Sequence, residues 1–221
     1  MKIYKQENAL FDEWGTMVDG LIKDGVVDEN EYIQAKYKIV FILKEVNGGK
    51  DWDLRDFVAN GARSQTWDNI ARWTEGILNI DKEFDWEYLE NENLERRKKY
   101  LQKICAMNLK KTSGKHTADA KELEFATNRD STFLKRQYKL YCPDISVCCG
   151  TAAEFFGEVY NEKPLEWLHT SRGIRYVRDN GMVIIDYAHP EARIKDCLLY
   201  YGLIDAVREI LGISCVGKDT F

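Results

Sequence analysis

The stretch YKIVFILKEVNGGKDWD, residues 37–53, joins an apolar run to a polar loop that contains two glycines. The run at residues 37–43 is rich in β-branched and aromatic side chains, which is typical of a strand covered on both faces. Helical spacing begins at about residue 66 and places these side chains on one face: Trp67, Ile70, Trp73 and Ile77. We therefore expect the loop at residues 45–53 to follow the carboxyl end of a buried strand.

The same unit occurs again along the chain. A charged helix predicted for residues 92–103 leads into the apolar run 104–107, which is followed by Asn108 and the loop LKKTSGKHT. We expect a long helix after that loop, to about residue 140. Pro143 ends this helix, and the buried run at residues 144–149 is a third predicted strand.

A hairpin is predicted near the end of the chain. The apolar runs 174–178 and 182–187 flank Asp179-Asn180-Gly181, and Asn-Gly between two such runs is a strong hairpin signal. The second run ends at Ala188-His189-Pro190, and apolar spacing to Leu211 predicts a closing helix. The same spacing predicts an opening helix over residues 8–22.

Length and composition favour one domain. With 221 residues, 44% of them hydrophobic, the chain can bury one sizeable core. We expect a single domain over residues 1–221, with a helical segment at residues 1–36 packed on it. Strands that alternate with helices predict an α/β fold with a mainly parallel sheet and helices on both faces. Ligands of such sheets bind beyond the carboxyl ends of the strands.

Composition excludes several classes of protein. The net charge of -5 argues against a general nucleic-acid coat protein, although an enzyme with one basic face is compatible with it. There is no apolar stretch of roughly 18 residues and the N-terminus is polar, so we expect no membrane contact and a cytoplasmic protein. The six cysteines form no C-x-x-C pair and are predicted to be buried thiols without a metal.

The order of four segments resembles the uracil-DNA glycosylase superfamily. In chain order they are IVFILKEVNGG, ICAMNLKKTSGKHT, YCPDISVCCGTAAEFF and DYAHPEAR, and together they span roughly residues 37–211. The resemblance implies a three-layer α/β/α sandwich around a central, mainly parallel four-stranded sheet. It also implies a monomeric, monofunctional DNA glycosylase that uses water as nucleophile and needs no cofactor.

Three residues would carry the reaction by this resemblance. Glu45 falls on the position that positions or activates water, and a carboxylate suits that role because it also stabilises the cationic sugar. Asn108 matches the asparagine that reads the extruded base with its donor and acceptor. His189, followed by Pro190, matches the histidine that donates to the oxygen of the leaving base. The alternatives are a solvated loop acid, a turn-forming asparagine and a structural histidine.

Further residues would hold the base and its strand. Asn47, Trp52 and Phe57 near the first loop are candidates for contacting the flipped base, since aromatic rings can stack on it. The alternative is that Trp52 and Phe57 only pack against a neighbouring helix. The candidates for contacts with DNA phosphates are basic: Lys110, Lys111, Lys115 and Arg193.

The pattern also departs from that of the superfamily. The first loop has Leu43, Lys44, Val46 and Asn47 where glycine and proline are usual, and the iron-sulfur cysteines are absent. This combination suggests a divergent member that removes a modified pyrimidine, such as a bulky cytosine of phage DNA in antiviral defence. Two other hypotheses stay open. One is a nucleic-acid or nucleotide-binding protein without chemistry, and the other is a small-molecule enzyme, since fold does not dictate function.

Overall fold

The computed structural model describes residues 2–49, 52–114, 119–161 and 164–213. Seven strands in these ranges form one mixed sheet: β1 Gly25–Val26, β2 Ile39–Leu43, β3 Ile104–Asn108, β4 Ile145–Cys149, β5 Leu168–His169, β6 Arg175–Asp179 and β7 Met182–Tyr187. Their order across the sheet is β1-β3-β2-β4-β7-β6-β5. The α/β class is therefore confirmed.

The sheet is larger than expected. The neighbours β3, β2, β4 and β7 run parallel, whereas β1 pairs antiparallel with β3, and β5 and β6 extend the other edge antiparallel. The expectation of four strands is wrong. The segment at residues 1–36, expected to be helical, holds α-helices at Ile3–Gly15 and Glu29–Gln34 and also β1. The strands β1 and β5 have two residues each, too few for an alternating pattern, so their pairing depends on backbone hydrogen bonds that sequence periodicity does not reveal.

Ten α-helices in the described ranges surround the sheet: α1 Ile3–Gly15, α2 Glu29–Gln34, α3 Leu54–Ala59, α4 Ser64–Leu78, α5 Trp86–Glu90, α6 Asn93–Tyr100, α7 Ala120–Arg129, α8 Ser131–Tyr141, α9 Ala152–Glu154 and α10 Asp196–Leu211. A 3₁₀ turn, Leu101–Lys103, extends α6, and a π-helical turn, Phe155–Val159, extends α9. Each helix in the described part of the chain is too short or too polar to cross a lipid bilayer.

Both faces of the sheet are covered, because alternate residues of each strand point to opposite sides. On one face, Phe41 packs in a core cluster with α4 and α10 residues such as Trp73 and Leu203. On the other face, Val40 packs with α1 and α8 residues such as Trp14 and Tyr138. All five residues of β2 are buried, as its apolar run predicts.

Some helix boundaries differ from the predictions. The opening helix covers Ile3–Gly15 instead of residues 8–22, and Met17, expected on its buried face, is 72% exposed. The long helix predicted before Pro143 is two helices that meet at the buried Asp130. The hairpin is confirmed: Asn180 and Gly181 both have positive φ, 49° and 85°, as a type I′ turn requires.

The cysteines of the described ranges are free thiols. Cys105, Cys148 and Cys149 are buried, as predicted, and burial raises the pKa of each thiol. Cys142 is exposed, so the expectation of a buried thiol is wrong there. It stands in the left-handed conformation at the end of α8, two residues before Asp144, which directly precedes β4.

Candidate functional site

A cleft of about 570 Å³ lies at the carboxyl ends of β2, β3 and β7. Parallel strands end at the same edge of a sheet, so segments that are distant in sequence meet there. Seven of the predicted site residues line the cleft: Glu45, Asn47, Trp52, Phe57, Asn108, His189 and Arg193. Lys110 and Lys111 are buried and are not among the residues that line the cleft, and Lys115 lies outside the described residues.

The loops after β2 and β3 are held together beyond the strands themselves. The backbone N–H of Leu109 donates to the carbonyl of Leu43 over 2.9 Å, and that of Lys110 to Lys44 over 2.9 Å. Further on, the N–H of Gly114 donates to the carbonyl of Val46 over 2.8 Å. This pairing continues the β2–β3 ladder and fixes one wall of the cleft.

Glu45 is anchored in that wall. Its Oε2 accepts a hydrogen bond from Lys110 Nζ at 2.6 Å, and the two side chains are 6% and 10% exposed. A Cβ added at Gly114 would lie 1.8 Å from Glu45 Oε1, so only glycine leaves room for the carboxylate. Among the described residues, no hydrogen bond to Glu45 Oε1 is found, and this oxygen packs over Gly114 while the residue lines the cleft.

The ammonium of Lys110 binds two carboxylates and is largely shielded from solvent. Its Nζ also donates to Glu122 Oε2 at 3.3 Å. Burial by itself lowers the pKa of Lys110, but the Glu45 and Glu122 carboxylates outweigh it and hold that pKa above its ordinary value. Lys110 thus remains a cation that positions Glu45. The sequence predicts a contact with DNA phosphates for Lys110, whereas in the structure its partners are two carboxylates.

Asn108 is the last residue of β3 and is 3% exposed. Its backbone N–H donates to Asp24 Oδ2 at 2.8 Å, and its side-chain Nδ2 donates to the same oxygen at 3.2 Å. Asp24 therefore fixes the plane of the carboxamide at the edge of the cleft. A fixed carboxamide can present its remaining donor and its acceptor in one orientation.

Lys111 corrects a prediction. Its side chain is fully buried, and its Nζ donates to Asp24 Oδ1 at 2.6 Å and Oδ2 at 2.8 Å. Gln137 Nε2 donates to the same carboxylate at 2.8 Å. Lys111 thus neutralises Asp24 inside the protein, and the prediction that it contacts DNA phosphates is wrong. Sequence alone does not separate the adjacent Lys110 and Lys111, because both stand in one charged loop.

His189 follows β7 by two residues and is half-buried. The backbone N–H of Glu191 donates to His189 Nδ1 over 3.1 Å. Since Nδ1 accepts, the neutral ring carries its proton on Nε2. Burial lowers the pKa of His189, and the Lys44 charge lowers it further, while Glu191 partly opposes both. At neutral pH His189 is therefore an uncharged donor through Nε2.

An aromatic wall faces these groups. The rings of Trp52 and Phe57 meet edge to face, with centroids 5.7 Å apart and planes at 83°. Trp52 Nε1 donates to the carbonyl of Gly48 over 3.3 Å, and a Cβ at Gly49 would lie 2.3 Å from Nε1. Both rings pack against the hydrophobic core and also line the cleft, so each ring has one side in the core and one side at the cleft.

Two cations of the cleft were not identified from the sequence. Lys44 and Arg63 line it and, like Arg193, make no ion pair within the described ranges. Arg63 Cζ lies 6.0 Å from the centroid of the Phe57 ring. The one further acid of the lining, Glu191, accepts a hydrogen bond from the Thr66 hydroxyl. A protein with net charge -5 thus presents a locally cationic cleft.

Lys44 and Arg63 differ in how strongly the sequence marks them as cleft residues. Lys44 directly follows β2 and is a strand-end residue like Asn108, which is a usable signal. Arg63 gives no such signal, because α3 and the turn before α4 are too short to recognise from periodicity.

Metal ligation has no support in this region. No group of three His, Cys, Asp or Glu side chains in the described ranges lies close enough together to hold a metal ion. The cleft instead combines a carboxylate, a carboxamide, a neutral imidazole and cations with an aromatic wall. Comparisons with known proteins gave no match, either to models of protein families or to curated protein sequences.

Proposed function

We propose that this protein is a DNA N-glycosylase that hydrolyses the N-glycosidic bond of a flipped pyrimidine base in this cleft. It acts as a monomer in the cytoplasm and leaves an abasic site. The observation that carries the proposal is the meeting of Glu45, Asn108 and His189, from three strand ends, in one cleft. This arrangement supports the resemblance to the uracil-DNA glycosylase superfamily that the order of sequence motifs indicates.

Each side chain has the chemical form that the reaction needs. As the bond between C1′ and the base breaks, positive charge grows on the sugar and negative charge grows on the base. Glu45, held by Lys110 through Oε2, lines the cleft and would orient a water toward C1′. His189 presents Nε2–H to an oxygen of the base without giving up its proton.

The size and walls of the cleft suit a substituted base. About 570 Å³ is well within the range of ligand pockets and exceeds what a bare pyrimidine ring fills. Trp52 and Phe57 offer an aromatic wall for stacking, which is worth roughly 1–3 kcal/mol per base. A cleft of this volume has room for a bulky modified pyrimidine, such as a modified cytosine of phage DNA, as well as for uracil.

A second function has one observation in its favour. The charge of Glu45 is already matched by Lys110, so the carboxylate proposed to activate water is held in an ion pair. This environment also suits a protein that binds a nucleic acid or nucleotide without cutting it. Tight, salt-sensitive binding without turnover would be the result that distinguishes it.

The test is abasic-site formation. Oligonucleotide duplexes and single strands carrying uracil, damaged bases or glucosylated hydroxymethylcytosine are incubated with the protein, and abasic sites are cleaved with alkali. We expect strand scission on one of these substrates. Removing the donor in His189→Ala should lower kcat by roughly 10²–10³-fold, as for other preorganised donors to a developing oxyanion.

Matched variants make this test specific. His169 lies on β5 and is exposed, so His169→Ala is the control for His189→Ala. Glu124 is exposed on α7, so Glu124→Gln is the control for Glu45→Gln. Full activity in the cleft variants, or no scission on any substrate, would contradict the proposal.

A further inference from the structure

Lys44 and His189 converge over Gly150. A Cβ built on Gly150 would lie 3.7 Å from Lys44 Cε and 3.7 and 3.8 Å from the backbone N and Cβ of His189. Gly150 has φ +67°, a conformation that glycine adopts without strain. The side chain of Lys44 therefore lies at the end of β4 together with the backbone and Cβ of His189.

Lys44 is a half-buried cation without an ion-pair partner in the described part of the chain, although it lines the cleft. The charged groups that face His189 are Lys44 from the end of β2 and Glu191 from the loop of His189 itself. Glu191 accepts the Thr66 hydroxyl, which orients its carboxylate without neutralising it. A partly desolvated ammonium that no protein carboxylate neutralises attracts an anion strongly.

We propose that the ammonium of Lys44 and the Nε2–H of His189 together bind the oxygen anion of the departing base, so that the enzyme selects pyrimidines that leave as oxyanions. This inference rests on the proposed function and adds a catalytic residue to it. Purines, which leave after protonation of the ring, lack a matching acid here, because His189 is uncharged and donates without transferring a proton.

The reaction balances without a cofactor. The bond between C1′ and the ring nitrogen breaks, and both of its electrons go to the base, whose negative charge spreads to an exocyclic oxygen. Lys44 and His189 hold that oxygen. A water oxygen bonds to C1′ and gives one proton to Glu45, which returns it to solvent. The base anion takes a proton from solvent after release.

A binding experiment tests the anion site without requiring turnover. The probes are uracil, which is neutral at pH 7.5, and 5-nitrouracil, whose ring is ionised at that pH. We expect the wild-type protein to bind 5-nitrouracil at least about tenfold more tightly, about 1.4 kcal/mol. Lys44→Met should abolish this preference, Lys44→Arg should keep part of it, and the exposed-residue control Lys5→Met should keep all of it. Equal affinities, no binding of either probe, or an unchanged preference in Lys44→Met would overturn the inference.

A titration of the histidines by NMR tests the pairing itself. Since the Lys44 charge lowers the pKa of His189, Lys44→Met should raise that pKa toward its ordinary value, and the Lys5→Met variant is the control. An unchanged His189 titration would overturn the pairing. Glycosylase activity without any anion preference would defeat this inference alone, whereas an anion preference without turnover on any substrate would defeat the proposed function alone.

Discussion

Two charged regions of the protein differ in how completely their charges are matched: the buried cluster around Asp24 and Lys111, and the cleft with its cations Lys44, Arg63 and Arg193. In the buried cluster, the Asp24 carboxylate receives hydrogen bonds from Lys111, Gln137 and Asn108, and the two charges neutralise each other. In the cleft, Lys44 and its neighbouring arginines have no carboxylate partner in the described ranges. The buried cluster can stabilise the fold, but its charges are already paired and cannot bind a ligand. The cations of the cleft can bind an anionic ligand.

The largest effect is expected from breaking the buried cluster. Lys111→Met leaves Asp24 without a counter-charge in the core and should lower the free energy of unfolding by about 3–5 kcal/mol. Urea denaturation of the purified variant measures this. The double variant Asp24→Asn with Lys111→Met should recover part of the loss, because no isolated charge remains. A loss below about 1 kcal/mol in Lys111→Met would contradict the core role.

The neighbouring lysine should give a smaller loss of stability and a loss of activity. Lys110→Met leaves Glu45 at the edge of a cleft, where water can hydrate the carboxylate, so we expect a decrease of about 1–2 kcal/mol in the free energy of unfolding. Activity should fall at least about tenfold, because Glu45 loses its anchor. Denaturation and single-turnover kinetics on the same preparation measure both. Equal effects of Lys110→Met and Lys111→Met on stability would contradict the distinction between the Lys110–Glu45 pair at the cleft and the Lys111–Asp24 pair in the core.

The smallest effect concerns the arginines of the cleft. If Arg63 and Arg193 contact phosphates, Arg63→Ala and Arg193→Ala should each reduce the slope of log affinity against log salt by about 1. Titration of a labelled oligonucleotide at several salt concentrations measures the slope. Arg172, which pairs with Asp205 on the surface, provides the control Arg172→Ala with an unchanged slope. Unchanged slopes in both cleft variants would place the phosphates elsewhere.

The long elements of the fold could be predicted from the sequence. The buried run of β2 and the Asn-Gly turn are local signals, and local signals were sufficient for the class and the hairpin. The edge strands β1 and β5 could not be found, because two residues carry no periodicity. The break between α7 and α8 at Asp130 also depends on tertiary burial and not on a helix-breaking residue.

For the site, positions were easier to predict than environments. The strand-end rule placed Glu45, Asn108 and His189 at one edge, and all three line one cleft. The partners of these residues came from elsewhere: Asp24 precedes β1, and Lys110 reaches Glu45 across a loop pairing. Such contacts link distant parts of the chain, so a single sequence without aligned relatives does not reveal them.

A crystal structure with the released pyrimidine base bound tests the central claim most directly, namely that the three strand ends build one base-binding site. We expect the base in the cleft beside Trp52 and Phe57, with its oxygen within hydrogen-bond distance of His189 Nε2 and its edge paired with Asn108. A base bound outside this cleft, or bound in it with His189 and Asn108 both uninvolved, would contradict the claim.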